Sequence, residues 1–282
     1  MQNREERQTY KDYLQVLKEC SPYDFCEYSD NSIDRRIQKI MQDYRLNLDE
    51  LIYKTRTDEE FVELVVEAIT VNTTELFRDP PVWKHLYEKV YWALKSRPKI
   101  NIWHAGCSSG QEVYSNLILL DIMGLADKCE IYATDISKKS LEVANSGSYK
   151  YNFNFQKYLN NFQDAFPNLP KEKFLGYFDI DESKDRMSVK PSLLGKAKFI
   201  KHDLVKQPLP FYNKFDLIFC RNVLIYFNSG LQSRIIQKFH DTLFPGGAMV
   251  LGTHESINGF FKTKFAKNGP VYERTNTFHF KY

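Results

Sequence analysis

The sequence predicts an α/β fold, a doubly wound sheet of mostly parallel strands behind a helical N-terminal region, and three observations carry that expectation. From Ile100 onward short apolar runs alternate with amphipathic stretches of helical period, the pattern of a parallel sheet with crossover helices. One strand passes through glycines straight into a helix at Ile100-Asn-Ile-Trp-His-Ala-Gly-Cys-Ser-Ser-Gly-Gln-Glu-Val-Tyr-Ser115. Before about Thr70 no strand signal occurs.

Taken in order, Tyr10, Tyr13, Leu14 and Leu17 share one helical face, as do Ile33, Ile37, Ile40, Met41 and Tyr44. Phe61, Leu64, Val65, Ala68 and Ile69 form a third stripe behind the capping box Thr57-Asp-Glu-Glu60. A small all-α domain over 1–80 is expected, with a connecting helix over 81–99 carrying Trp83, Leu86, Tyr87, Val90 and Leu94. The remaining residues, 100–282, form the sheet domain: strands at 100–103, 130–134, 197–201, 215–220 and 248–251, helices at 111–123, 138–146 and 231–244. Gly147 closes the second of these helices and Pro245-Gly-Gly247 the last. Aromatic-rich strands near Phe265 to Tyr272 and Thr277 to Tyr282 could add an antiparallel edge.

Between Gly147 and Ala197 the rhythm breaks, so an inserted β-containing subdomain is expected over about 148–196, with a strand pair near Met187–Lys190 and Lys198–Ile200. Such an insertion serves partner or substrate recognition, or packs as a lid.

Composition excludes several classes. The 282 residues carry a net charge of +3, too small to argue for a nucleic-acid partner. No apolar run approaches the ~18 residues of a membrane span, and the polar start Met1-Gln-Asn-Arg-Glu-Glu-Arg7 has no signal-peptide core. A cytoplasmic protein without membrane insertion is expected. Cys20, Cys26, Cys107, Cys129 and Cys220 are odd in number and lack CxxC spacing, which reads as free thiols and no metal site.

Gly106 and Gly110 allow a tight turn and close approach of a ligand to backbone N–H groups. A P-loop would need Gly-Lys-Ser/Thr, but Gln111 follows Gly110, and the G-x-G-x-x-G spacing of dinucleotide folds is absent. A Rossmann-like S-adenosylmethionine site fits best. Asp135 ends the next strand about 25 residues later, where a carboxylate can accept both ribose hydroxyls; its alternative reading is a cap for the following helix. Glu112 completes a capping box with Ser109 or faces the cofactor's ammonium group; the two roles are compatible. Phe219-Cys-Arg-Asn-Val-Leu-Ile-Tyr-Phe227 lies where open sheets bind ligands, with a plain core-and-rim reading as its alternative. In Val71-Asn-Thr-Thr-Glu-Leu-Phe-Arg-Asp-Pro-Pro81, Asn72 and Thr74 could cap a helix and Pro80 could open the next. Asp79-Pro-Pro81 resembles an N-methyltransferase box only superficially, since Val82 replaces the aromatic.

Taken together, Asn72-Thr-Thr-Glu-Leu-Phe-Arg-Asp-Pro80, Trp103-His-Ala-Gly-Cys-Ser-Ser-Gly-Gln-Glu112, Ala133-Thr-Asp-Ile136 and Phe219–Phe227 resemble the CheR-type chemotaxis methyltransferases, over nearly the whole chain. Gly252-Thr-His-Glu-Ser256 and Gly269-Pro-Val-Tyr272 resemble that family's end. The resemblance implies transfer of a methyl group from S-adenosylmethionine to glutamate γ-carboxylates on a chemoreceptor's cytoplasmic helices, with S-adenosylhomocysteine as product and a monomeric enzyme. It also implies that Asn72, Thr74, Arg78, Glu112, Asp135, Asp203, Leu204, Cys220 and Arg221 line the cofactor beside Gly106 and Gly110, with Arg78 and Tyr226 nearest the reacting methyl.

An ionised glutamate needs no general base, which agrees with the lack of an obvious catalytic His or Lys beside the motifs. Arg35, Arg36 and Lys39 lie opposite the apolar stripe of their helix and could meet acidic receptor helices, or be merely solvated. Two rivals remain. One is a methyltransferase of this fold for a small molecule or non-receptor protein, expected if the insertion encloses an apolar pocket. The other is a silent cofactor-binding regulator, expected if Arg78 or Tyr226 faces away from the cleft.

Overall fold

The structure is a computed structural model, and it describes residues 2–70, 73–211 and 214–275. Four helices come first: α1 (Gln2–Cys20), α2 (Asp30–Tyr44), α3 (Leu48–Thr57) and α4 (Glu59–Ile69). Their apolar stripes meet in one cluster containing Tyr13, Leu17, Ile37, Ile40, Leu51 and Val65. Asn47 and Glu50 form a reciprocal capping box that starts α3. At α4 the cap is Asp58, whose side chain accepts from Phe61 N–H, so the expected box at Thr57 lies one residue too early. Leu64, expected in the α4 stripe, is exposed.

The connecting segment is α5 (Pro80–His85), a widened π-type turn (Leu86–Val90) and α6 (Tyr91–Leu94). It leads into β1 (Ile100–Ala105), α7 (Gln111–Ile122), β2 (Cys129–Asp135) and α8 (Lys138–Ser146). Then follow β3 (Ser148–Lys150), α9 (Tyr151–Ala165), α10 (Lys171–Leu175), β4 (Phe178–Asp181) and β5 (Arg186–Val189). The chain continues through β6 (Ala197–Lys201), β7 (Phe215–Cys220), α11 (Ser229–Thr242), β8 (Leu243–Leu251), β9 (Phe265–Asn268) and β10 (Val271–Arg274).

The main sheet has the order β6-β2-β1-β7-β8-β10-β9, parallel from β6 to β8 and antiparallel beyond. Strand alternation sorts its residues into two cores. Ile100, Ile102, Leu217, Phe219 and Val250 face the cluster with α7 and α9. Trp103, Ile218, Cys220, Met249 and Leu251 face the cluster with Ile235 and Phe239 of α11. Helices therefore cover both faces, as a buried parallel sheet requires.

Three expectations are corrected. Met187–Lys190 does not pair with Lys198–Ile200: β5 sits between β3 and β4 in a separate three-stranded sheet, while β6 joins β2 of the main sheet. Two adjacent apolar runs invite a hairpin reading, but β6 runs parallel to β2 as an edge strand of the main sheet, with Ala197 buried and Phe199 and Ile200 half-buried. Pro245-Gly-Gly247 lies inside β8, where the β7–β8 register shifts, and Gly247 has backbone carbonyls of Phe215 and Phe244 where a Cβ would sit. The edge hairpin is β9 and β10, both within 265–274, and the second expected strand at Thr277 to Tyr282 lies outside the described residues.

The insertion is welded to the sheet by aromatics. Phe162 of α9 meets Phe77, Phe166 and Phe174 with ring centroids at 5.3, 5.2 and 5.3 Å. Phe162 is fully buried, so Phe162→Ala would leave a cavity in this cluster and should cost about 3–5 kcal/mol in urea unfolding.

Candidate functional site

A cleft opens at the carboxyl ends of β1, β2, β6 and β7, where an open α/β sheet binds its ligand. It holds about 1000 Å³ of space unoccupied by atoms. Its floor is the turn after β1. Gly106, Ser108 and Gly110 all have positive φ, and the N–H groups of Gly106 and Cys107 donate to Thr134 O at 2.8 and 2.9 Å. A Cβ on Gly106 would sit 2.5 Å from Val223 Cγ2, and one on Gly110 2.9 Å from Ala144 Cβ. Glycine is required at both places by conformation and by space.

Asp135 closes β2 beside this turn. Its two oxygens accept from Ser108 N–H at 2.7 Å and Ser137 N–H at 3.0 Å, leaving a lone pair on each for a ligand. The helix cap is Ser137, whose hydroxyl accepts from Ser140 N–H, so capping is not the work of Asp135. Burial pushes the Asp135 carboxyl above its ordinary value despite these N–H bonds.

Glu112 does not cap α7: Gly110 occupies the cap position with no side-chain bond, and Ser109 Oγ instead donates to Gln111. Its carboxylate accepts from His104 Nδ1 at 2.8 Å and Arg221 Nη1 at 3.1 Å. Burial pushes its pKa up, but the His104 and Arg221 partners outweigh that and hold it below the ordinary 4.5.

Arg221 follows β7 and its side chain is 2% exposed. Besides Glu112 it reaches Asp79 Oδ2 and the Arg78 carbonyl, both at 2.8 Å, and the same carbonyl accepts from Trp83 Nε1 at 2.9 Å. These bonds hold a corner where Phe77 and Asp79 both have positive φ. Asp79 is thus spent on structure. Pro80 opens α5 as one of the two expected readings had it, while no helix starts after Thr74 for it to cap.

Thr74, Arg78, Gly106, Glu112, Asp135, Asp203, Leu204, Arg221 and Tyr226 all border the cleft. Cys220 does not: its side chain is fully buried in the core facing α11. Strand alternation turns Cys220 to the opposite side from Phe219, away from the ligand crevice. Gly110 shapes the turn without bordering the cleft, and Asn72 lies outside the described residues. Arg35, Arg36 and Lys39 are on α2 rather than in the cleft; Lys39 pairs with Asp43 at 3.0 Å.

The sequence did not mark Tyr28, Ile69, Thr70 and Ile136, which line the cleft on the side of the helical layer. The layer is tied there by Ser29 N–H donating to Tyr226 O at 2.8 Å, by Tyr28 packed on Phe227, and by Ser137 Oγ donating to Glu67. His202, which precedes the expected cofactor residue Asp203, also lines the cleft. Burial lowers its pKa and its Nε2 meets Pro208 O at 3.1 Å. It follows β6, three strand spacings or about 14 Å from the β7 end that carries Tyr226. The Glu255 carboxylate accepts from Asn222, Val223, Ile225 and Gly252 N–H and holds the turn before Tyr226. No residue of 148–196 borders the cleft; Tyr149 instead supports the glycine turn from behind through Ser109 O.

The donor set fits S-adenosylmethionine. Asp203 Oδ2 and Ser108 Oγ are buried without a partner among the described residues, a cost that a bound ligand's hydrogen-bonding groups would remove. Asp135 offers two acceptors to a diol, and Glu112 offers an anion to an ammonium.

Arg221→Ala would strand Glu112 and Asp79 and should destabilise the fold by about 3 kcal/mol in denaturant unfolding. Because Glu112 titrates below 4.5 in the fold, the stability it contributes is present above that value and is lost as pH falls through the folded one. The stability gap between the natural chain and Glu112→Gln should therefore shrink from about pH 6 to about pH 3, measured by urea midpoints.

A sequence model described as the CheR methyltransferase SAM-binding domain matches residues 72–271. The chain is 35% identical over 237 residues to the protein named methyltransferase Cher3 in Pseudomonas putida, covering 84% of each. It is 32% identical over 240 residues to chemotaxis protein methyltransferase 1 of Pseudomonas aeruginosa, covering 80% of this chain and 82% of that one. A chemotaxis protein methyltransferase of Listeria innocua is 31% identical over 254 residues, covering 88% and 90%. The match spans the glycine turn, Asp135, Arg221 and Tyr226 of the cleft, and the chain belongs to the CheR methyltransferase family.

Proposed function

We propose that this protein methylates glutamate γ-carboxylates on the cytoplasmic helices of chemoreceptors, using S-adenosylmethionine. The observation that carries the reading is the convergence of Arg78 and Tyr226 at the cleft that also holds Asp135 and Glu112. A bound S-adenosylmethionine supplies an electrophilic methyl group on a sulfonium, and the protein's part is to hold donor and acceptor in line. Such orientation can lower a barrier by about 7–11 kcal/mol.

Each residue has a role that follows from its chemistry. Asp135 accepts the ribose hydroxyls, Glu112 faces the ammonium, and Asp203 offers its unpartnered Oδ2 to the adenine amino group. Arg78, whose Nη1 donates to Thr73 O at 3.2 Å, retains further N–H groups for the acceptor carboxylate. Burial raises the Tyr226 hydroxyl above its ordinary 10.0, with Arg36 and Arg78 pulling it the other way. At neutral pH Tyr226 is therefore a hydrogen-bond donor that orients the acceptor and not a base. The acceptor glutamate, with an ordinary pKa of about 4.3, is already a nucleophile.

A receptor substrate is favoured over a small molecule because the insertion encloses no pocket around this cleft. Arg35 and Lys39 are exposed on α2, whose first residue follows the Ser29 that bonds Tyr226, so these cations stand on the helix nearest the acceptor end.

The direct test is transfer of labelled methyl to a receptor fragment followed by mild base. Label released as methanol supports a carboxyl ester, and base-stable label overturns it. Arg78→Ala and Tyr226→Phe should each lower kcat at least tenfold while binding S-adenosylmethionine better than Asp135→Ala does, an order of loss expected when positioning is removed; equal cofactor loss in all three sinks these roles. Reversing Arg35, Arg36 and Lys39 to Glu should weaken receptor binding, most strongly at low salt, in a sedimentation or calorimetric assay.

A further inference from the structure

His104 is the polar residue that the cleft chemistry does not explain. It stands on the interior strand β1, between β2 and β7, fully buried, with its ring stacked on Phe219 at a centroid distance of 4.4 Å and 13° between planes. An apolar residue would fit such a place without needing partners. Instead both ring nitrogens are engaged. Asn116 Nδ2, which can only donate, meets His104 Nε2 at 3.0 Å, so Nε2 is the acceptor. The proton then resides on Nδ1 and is donated to Glu112 Oε1 at 2.8 Å. Asn116 is fixed in turn, because its Oδ1 accepts from the buried Tyr91 hydroxyl. The result is a directed chain of donors, Tyr91 to Asn116 to His104 to Glu112, running from α6 beneath the sheet to the cleft.

The geometry points to His104 as a positioning residue for the cofactor: by donating Nδ1–H to Glu112 it fixes the carboxylate in the orientation that receives the cofactor's ammonium group. This inference rests on the proposed role of Glu112. Arg221 holds the other oxygen at 3.1 Å, so the two donors together define the plane of the carboxylate. Arg221 also serves Asp79 and the Arg78 carbonyl, whereas the Nδ1–H of His104 is committed to Glu112.

The test compares S-adenosylmethionine binding by calorimetry in the full chain carrying His104→Phe, His104→Asn or Glu112→Gln, with urea midpoints for each. Phenylalanine keeps the ring stack and loses the donor; asparagine loses the stack but carries an amide nitrogen near the place of Nδ1. His104→Phe should weaken binding about tenfold, the scale of one hydrogen bond to a charged group, and His104→Asn should recover most of that loss although it packs worse. A residue that only fills space would give the opposite order, with Phe binding normally and Asn weakened, and that order overturns the inference. Should His104→Phe not fold, His104→Leu serves as the variant without a donor. Natural affinity in Glu112→Gln would overturn the Glu112 role itself, while a loss there combined with natural affinity in His104→Phe overturns the His104 role alone.

Discussion

Arg221 comes out of the central strand β7 onto the wall of the cleft with its side chain almost wholly screened from water, and the groups around it are arranged to receive its charge. Burying a guanidinium is tolerable only when anions and carbonyls replace its hydration. Here Glu112 from α7, Asp79 from the corner before α5 and the carbonyl of Arg78 do so together, while Trp83 lies under the guanidinium at 5.7 Å. One side chain thus ties its own segment to two others, 109 and 142 residues away in sequence. Because the corner at Phe77 to Asp79 contains two positive-φ residues that are not glycine, it stays in place only when such bonds over-determine it. Arg78 is carried by that corner.

The same economy appears at the glycine turn. Val223, two residues beyond Arg221, fills the space above Gly106 that a Cβ would need, and Glu255 holds the backbone N–H groups around Val223. The turn after β7 is thereby clamped from below by β1 and from the side by the end of β8. Tyr226 follows on that turn, and its carbonyl accepts from Ser29 at the start of α2. The helical layer and the turn that carries Tyr226 are joined directly, through this bond and the packing of Tyr28 on Phe227.

Much of this was legible in the residues. The strand-turn-helix at Ile100 to Ser115, the acid closing β2 and the Arg-Asn-containing segment after β7 each combine a period with a special residue type, and those signals are local. The insertion was legible as a break in rhythm but not in its pairing, since β5 bonds to β3 and β4 through contacts that no local pattern specifies. Tyr28 and Ile69 gave no signal because an aromatic in a loop and an apolar residue at a helix end are ordinary there. His104 did carry one: a histidine inside an apolar interior strand must find partners. Who those partners are depends on α6 and α7, which the strand sequence does not contain.

The sequence by itself determined the α/β class, the helical start, the glycine turn and the acids Glu112 and Asp135 beside it, because periodicity and turn chemistry are written over spans of ten to fifteen residues, while Thr74, Arg78, Asp203, Leu204 and Tyr226 were legible only through the resemblance to a family. Tertiary structure decided the use to which each polar group is put. It moved Glu112 from a possible helix cap to an ion pair, gave the cap of α8 to Ser137, turned Cys220 into the core and Asp79 into a counter-ion for Arg221. A side chain with several possible partners is assigned by whichever of them folding brings within hydrogen-bond reach, and those partners come from distant parts of the chain.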